Sequence, residues 1–531
     1  MELPITLFTW GAAVMPIVAL LLLLVVQKWG VAQAAPVGLA IALFTGFTIF
    51  DAPLPLLAGE LAKGIWSGMT VMAIVVPAIL IFEVTNEAKA FDAFRRGMQK
   101  FSPNELLQVM TIGWAFASFL QGVSGFGVPV AIVAPLLVGM GVRPFWAVFI
   151  PVVGHAWANT FGTLAVAWEA LVQQTALSGE PLLATAAWAA IFTGIMNIAS
   201  GIVICWIYAG WQGMRKGGLA ILAFSTLHVG GQLLLSQYNQ VLCNFLVSSA
   251  GLVLAYLLGR FVYAKPYRCQ HSKIMDRSIA SDMEDATPLP LSLHQAFLPY
   301  YILTGITLFV LLIPPVKTAL SFLVVGLPFP ETTTGFGFVN PALERYAPIT
   351  VFTHSGVFLT LSCLLGYCFF KNKNVLQPDS ARNIASRTLD KAAPATIAVI
   401  LLIAMSKVMG GTGQVLVLAQ GTATVTGSYY ALFSPFIGVL GAFMTSSNMA
   451  SNILFGSFQN TMAELLQLTP AVILGAQTGG AAIGNVICPS NVLLGTTTAG
   501  ILGREGELLQ KLLPLGVTVA FICGIITFIA A

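Results

Sequence analysis

Apolar runs of membrane-crossing length recur from one end of the chain to the other. Examples are 16-PIVALLLLLVV-26, 71-VMAIVVPAILIF-82 and 299-PYYILTGITLFVLLI-313, separated by short polar stretches. An apolar run of about 20 residues spans a bilayer as a helix. Sixteen such segments can be drawn, among them 5–27, 64–85, 104–120, 124–141, 185–209, 217–236, 298–325, 393–410 and 448–465. They predict an all-α polytopic membrane protein. Some segments are expected to be half-crossings or re-entrant hairpins. The strict alternation of a β-barrel is not seen in the sequence.

One long polar stretch interrupts the pattern. Residues 265–297 hold Lys265, Arg268, Lys273 and Arg277 among four acids. They are read as a cytoplasmic loop between an N-terminal half, 1–264, and a C-terminal half, 298–531. Lysine and arginine in short loops set orientation. Lys28, Arg95, Arg96, Lys100, Arg215, Lys216, the 260–277 stretch, Lys371 to Lys391, Arg504 and Lys511 are therefore assigned to the cytoplasm. Residues 51–62, 178–184, 326–347 and 411–428, with few or no basic residues, read as outer loops. This alternation puts both termini outside. The first apolar run lacks an A-x-A site and reads as a retained helix.

The halves repeat one feature with inverted topology. After 64–85, predicted to run inward, comes a broken region at 121–163; after 393–410, predicted to run outward, comes another at 444–491. Pro144 and Asn159 match Pro470 and Asn485 at a common offset of 326 residues. Inverted repeats with interrupted helices are the architecture of many secondary transporters.

The breaks are written in residue chemistry. Residues 121-QGVSGFGVPV-130 place three glycines, a serine and a proline inside an apolar segment. Non-helical backbone at membrane depth persists only where it is buried in protein or faces a wet cavity. Gly125 and Gly127 permit a turn, Ser124 is placed to cap the next helix, and Pro129 suits its first turn. A helix starting there points free N–H groups and a positive dipole end into the membrane, which is an anion site. The second half repeats this with hydroxyls and amides in 445-TSSNMASN-452. Each half breaks again, at 155-HAWANTFGT-163 and 477-QTGGAAIGNVICPSN-491. The expected substrate-binding set is Ser124, Gly125, Gly127, Asn159, Ser446, Ser447, Asn448, Asn452, Gln477, Gly484 and Asn485. The alternative for a single small residue is close helix packing.

Composition agrees with this reading. Hydrophobic residues make up 57% of the chain and charged residues 8%, against about 25% charged in a soluble domain. The net charge of +4 is small and scattered, so it offers nucleic acid nothing. Seven cysteines lie mostly in apolar runs, without metal-ligand spacing, and read as reduced packing residues. No cofactor or metal is called for. The sequence carries no reading of oligomeric state.

The blocks 119-FLQGVSGFGVPVAIVAPLLVGMGVRPFWA-147, 446-SSNMASNILFGSFQ-459 and 479-GGAAIGNVICPSNVLLGTTTAGILGREGELL-509, preceded by 81-IFEVTNEAKAF-91, resemble those of the lactate permease family in the same order. The resemblance spans most of the chain. It implies uptake of lactate, and in some members glycolate, with protons across the bacterial inner membrane. The chain departs from that pattern where Gln121 stands for an expected glutamate, Asn448 for an aspartate, and Glu83 and Asn485 for lysines. It resembles a divergent member.

With the hairpin acids replaced by amides, His155 and Glu169 are the proton-coupling candidates. Histidine has an ordinary pKa of about 6.5 and changes charge in the working range; the alternative is a neutral, hydrogen-bonded core residue. Glu169 lies toward the outer end of its segment, where it could instead snorkel or cap. Arg143 reads as a positive-inside anchor. Glu83 and Lys407 fall at mirrored depths and are not read as a pair. His228, His271, His294 and His354 read as interface or loop residues.

The leading function is secondary transport of a small 2-hydroxymonocarboxylate with protons. The alternative is a sodium-driven carrier for another small organic anion. A membrane-embedded enzyme would need a catalytic group set, and neither HExxH nor GxSxG occurs. A channel would need a charged ring or a carbonyl filter, and nothing resembles one.

Overall fold

The computed structural model describes residues 3, 5–99, 102–125, 127–279 and 290–531. Lys100 and 280–289 of the long polar loop lie outside the described residues, as do the side chains of Arg95 and Arg96.

Among the described residues, ten helices are long and apolar enough to cross a membrane, not sixteen. Two causes reduce the number. Expected segments 185–209 and 217–236 are one hydrogen-bonded run, Gly179–Ser236, that folds back at Ala209 and Gly210, whose backbone is non-helical. Thr193 bonds Gln232 at 3.0 Å and Asn197 lies 3.1 Å from His228 across the fold. Other segments are half-length helices, Val128–Gly139 and Pro144–Ala156.

The run 298–325 is not one helix. Leu298–Leu312 is followed by Pro314–Leu320, bent by 91°. Ile313, extended at φ −99°, precedes two prolines, which disfavour helix at the residue before them. Beyond it, β1 (Val324–Phe329) pairs antiparallel with β2 (Leu343–Thr350). The expected loop 326–347 is therefore largely a β-hairpin, and the expected loop 411–428 is mostly a helix, Gln414–Thr426. The hairpin sits on the long helix Leu54–Glu87. Trp66 Nε1 donates to Ala347 O at 3.1 Å, and Ser67 meets the Tyr346 hydroxyl at 3.0 Å.

Leu54–Glu87 packs along a second long helix, Ser380–Gly411. Gly64 and Gly68 let the backbones approach at Ala404 and Ile400. At one end the buried Glu83 pairs with Arg387 at 2.8 Å and with Lys391, and Arg387 also reaches Glu87. Lys407 instead donates to Gln173 O at 2.9 Å. The described start of the 265–297 loop is a packed strap. Arg277 makes two bonds to the buried Glu105 at 2.8 and 2.9 Å, Tyr208 donates a third at 2.8 Å, and Arg143 N donates to Ile274 O at 2.8 Å.

Against this frame stand two similar series of four helices. In the first half they are α1 (Ala117–Val123), α2 (Val128–Gly139), α3 (Pro144–Ala156) and α4 (Gly162–Thr175). In the second they are α5 (Tyr430–Thr445), α6 (Asn448–Leu465), α7 (Pro470–Gly484) and α8 (Pro489–Thr498). Each series reads helix, break, helix, tight turn, proline-started helix, break, helix.

Candidate functional site

All four breaks meet one cavity of about 1160 Å³. That is room for roughly 30–40 waters. Its exposed lining residues include Lys28, Trp29 and Gly30 on one side and Ser490, Leu493 and Thr497 on α8. Its wall holds residues from the N-terminal ends of α2, α4, α6 and α8: Gly127, Gly162 and Thr163, Ser447 and Asn448, and Ser490 and Asn491. The C-terminal ends of α3 and α7 add His155 and Asn485.

The first break depends on two left-handed glycines. Gly125 has φ +55° and Gly127 φ +79°, a region open to glycine and costly for most residues. Gly127 is the N-cap of α2, with Pro129 in the first turn. Ser124 does not cap α2; it closes α1 instead, donating its hydroxyl to Leu120 O at 2.9 Å. The second break turns at Ser446, left-handed at φ +58°, and Ser447 then caps α6 by accepting from Ala450 N at 3.2 Å. The start of α4 is also unusual, with Thr163, Leu164 and Ala165 all at positive φ.

Neutral polar side chains knit the breaks together. Gln121 Nε2 donates to Asn159 Oδ1 at 2.8 Å, and Asn159 Nδ2 donates to Ala156 O at 2.9 Å. Asn491 Nδ2 donates to Asn485 Oδ1 at 2.9 Å. His155 Nδ1 lies 2.5 Å from Pro151 O, so Nδ1 carries the proton and Nε2 is the nitrogen able to accept one. Among the described residues of the wall no carboxylate occurs, and Lys28 is its charged group. Helix starts, amide and hydroxyl donors and a cation together suit an anion.

Of the residues expected from sequence, Gly127, Asn159, Ser446, Ser447, Asn448, Asn485 and His155 line this cavity. Ser124, Gly125, Asn452, Gln477, Gly484 and Glu169 do not. Gly125 lies behind the wall, where a Cβ would meet the Thr163 hydroxyl, and Gly484 packs on Val439 and Ala442. Gln477 is bonded to Gln459 at 2.9 Å and Ser451 at 3.1 Å, deep in the protein. Asn452 donates to Ala167 O at 2.8 Å and to Thr478 at 2.9 Å. Glu169, midway along α4, accepts from Gln173 at 3.3 Å and stays outside the cavity wall. The sequence reading missed Gln121, Thr163, Ser490, Asn491 and Lys28 as lining residues. Asn491 closes the 477–491 polar cluster and could have been found there; Lys28 read only as an orientation signal. His228 is not an interface residue. It is fully buried, with its ring stacked on Trp157 at 4.6 Å between centroids.

A multi-pass bundle of apolar helices, broken in both halves around one shared cavity, has the architecture of a membrane transporter. The model of the L-lactate permease family matches residues 11–531, and the chain belongs to that family. The L-lactate permease of Salmonella typhimurium is 26% identical over 523 residues, covering 94% of this chain and 91% of its own. The glycolate permease of Escherichia coli K12 is 25% identical over 548 residues, covering 98% and 95%. Among solved structures, the YdaH transporter of Alcanivorax borkumensis matches at 13% identity and a TM-score of 0.45, over 88% of this chain and 86% of that one.

Proposed function

We propose that this permease carries a small 2-hydroxymonocarboxylate, lactate or glycolate, into the cell across the inner membrane together with a proton. One observation carries the reading: a largely apolar cavity where helix breaks from both halves meet, with neutral donors at the breaks and no carboxylate among its described lining residues. N–H groups at the helix starts and the amides of Asn159, Asn485 and Asn491 would hold the carboxylate and the 2-hydroxyl. The named relatives, L-lactate and glycolate permeases, agree with a substrate of this size and charge.

The same geometry supports an inward-open state: exposed Lys28 lines the cavity, and basic loops face the cytoplasm. The opposite end is closed where Ser406 donates to Gln174 at 3.0 Å, Ser457 donates to Gln174 O at 2.9 Å and Lys407 donates to Gln173 O at 2.9 Å. The two helix series would be inverted repeats that move against the long helices to switch access.

An anion entering a negative cell needs a cation with it, and His155 Nε2 is the proton acceptor at the wall. Sodium coupling is the second reading, favoured by Gln121 and Asn448, wall residues that cannot titrate. The test is uptake of labelled lactate into proteoliposomes with pH and sodium gradients imposed separately. Saturable uptake driven by the pH gradient is expected. Linear, non-saturating flux would mean a channel, and uptake driven by sodium alone would support the second reading.

A further inference from the structure

The cavity stops short of the C-terminal end of α4. Its lining residues on that helix end at Ala167, those on α6 at Ala450 and those on Ser380–Gly411 at Leu402. One to two turns further on, at about 1.5 Å per residue, three elements meet. They bring Ser406 and Lys407 of the long helix, Gln173 and Gln174 of α4 and Ser457 of α6. Gly456 lets α6 close on α4, since a Cβ there would meet the side chains of Leu171 and Gln174 at 3.1 and 3.2 Å.

The last four carbonyls of a helix have no partner within it and carry the negative end of its dipole. Because α4 ends at Thr175, Gln173 O and Gln174 O are two of these. Both are capped by other elements: Lys407 Nζ donates to Gln173 O and Ser457 Oγ donates to Gln174 O, each at 2.9 Å. The bond from Lys407 is the charged one, and a charge-assisted hydrogen bond is roughly twice as strong as a neutral one. Its ammonium also lies 5.8 Å from the centre of the Tyr346 ring on β2, within cation–π range. The hairpin thus gives the ammonium a second anchor.

The rest of the seal is poorly paired. Among the described residues, Gln173 Oε1 and Gln174 Nε2 are buried without a hydrogen-bond partner. Buried polar atoms left unpaired disfavour the closed arrangement, and parting α4 from the long helix returns them to water. The closed gate is a small difference between that penalty and a few bonds, of which the one from Lys407 carries charge.

We propose that Lys407 is the latch of the outer gate. Its ammonium caps α4 while the cavity is open inward, and α4 must leave it for the cavity to open outward. The proposal rests on the inward-open reading above. Lys407 stands outside the cavity wall, so it governs access and makes no contact with the substrate.

The test is labelling of a cysteine placed in the cavity wall. Ala398→Cys is carried in the full-length chain in right-side-out membrane vesicles, and a membrane-impermeant maleimide is added outside. The chain without that cysteine sets the background; its cysteines other than Cys368 are buried. With Lys407 intact, the added cysteine should be protected. Lys407→Met, which keeps the length and loses the charge, should raise the labelling rate about tenfold, the worth of one hydrogen bond to a charged group. Lys407→Arg, which keeps a cationic donor, should preserve the protection. No rise with Lys407→Met, or an equal rise with Lys407→Arg, overturns the latch. So does a matching rise in Lys407→Met without the added cysteine, which would signal unfolding. Rapid labelling with Lys407 intact removes the inward-open reading and the latch with it, whereas protection that Lys407→Met leaves unchanged removes the latch alone.

Discussion

Gln121 and Asn159 tie the two breaks of the first helix series to each other: Gln121 Nε2 donates to Asn159 Oδ1 at 2.8 Å, and both residues line the cavity. Thirty-eight residues of sequence separate them. The bond fixes where α1 ends relative to the unwound stretch before α4, and with it the direction of the N–H groups at the start of α2.

Breaking that link should be costly. Leaving a buried amide without its partner costs about 1–3 kcal/mol, roughly 5- to 150-fold in a binding constant. Asn159→Ala is expected to raise the Km for uptake within that range while the protein still reaches the membrane. Gln121→Glu, which keeps an acceptor but loses the donor, should show a comparable defect. The measurement is initial uptake rate against concentration, normalised to protein in the membrane.

Ser447 and Asn485 act on the second series. Ser447 caps α6, and loss of an N-cap costs about 0.5–2 kcal/mol; Asn485 accepts from Asn491 at 2.9 Å. Ser447→Ala and Asn485→Ala should each raise Km several-fold or more, with expression intact. Wild-type Km in both would place the carboxylate elsewhere.

His155 offers a pH-dependent readout. With Nδ1 engaged by Pro151 O, protonation occurs at Nε2, on the ring that lines the cavity. If the proton enters with substrate, parent uptake accelerates when the outside is made more acidic. His155→Gln keeps a polar side chain and cannot titrate. It should transport, if at all, with no response to the imposed gradient. A response equal to the parent's assigns the proton elsewhere.

The sequence made the breaks visible because glycine, proline and serine do not accumulate in a plain apolar helix. Gly125, Gly127, Pro129 and Ser446 marked turns that the structure contains. It did not show which polar neighbours face the cavity. Ser124 and Gln121 are three residues apart, and only packing decides that one hydroxyl closes α1 while the other side chain reaches Asn159. Gln477 and Asn491 differ in the same way. The β-hairpin was hidden because 323-LVVGLPF-329 is apolar without alternation, a pattern shared by buried strand and helix. His228 in an apolar run carried no sign that Trp157, seventy-one residues earlier, would cover its ring.

The frame around the site can be tested through stability. Glu83 is buried, and Arg387 is one of its two cationic partners. Hydrogen bonds to charged groups are worth about 1.5–3 kcal/mol. Arg387→Gln should lower the Tm of the purified protein, and adding Glu83→Gln should recover part of the loss. An additive effect of the two changes would deny the coupling.

Gly125 tests the turn itself. At φ +55° a side chain meets left-handed strain of about 1–2 kcal/mol, and its Cβ would press on the Thr163 hydroxyl. Gly125→Ala should lower Tm and uptake together; Thr163→Ala added to it should relieve the contact and return part of both.

The central claim, that the cavity binds a small 2-hydroxy acid, is tested most directly by competition in counterflow. Vesicles loaded with unlabelled lactate take up labelled lactate while glycolate, lactate or propionate is added outside. A wall of amides that bonds the 2-hydroxyl rejects an analogue lacking it. Glycolate should compete about as well as lactate, and propionate at least tenfold more weakly. Equal competition by propionate, or no counterflow of any of these acids, would contradict the account.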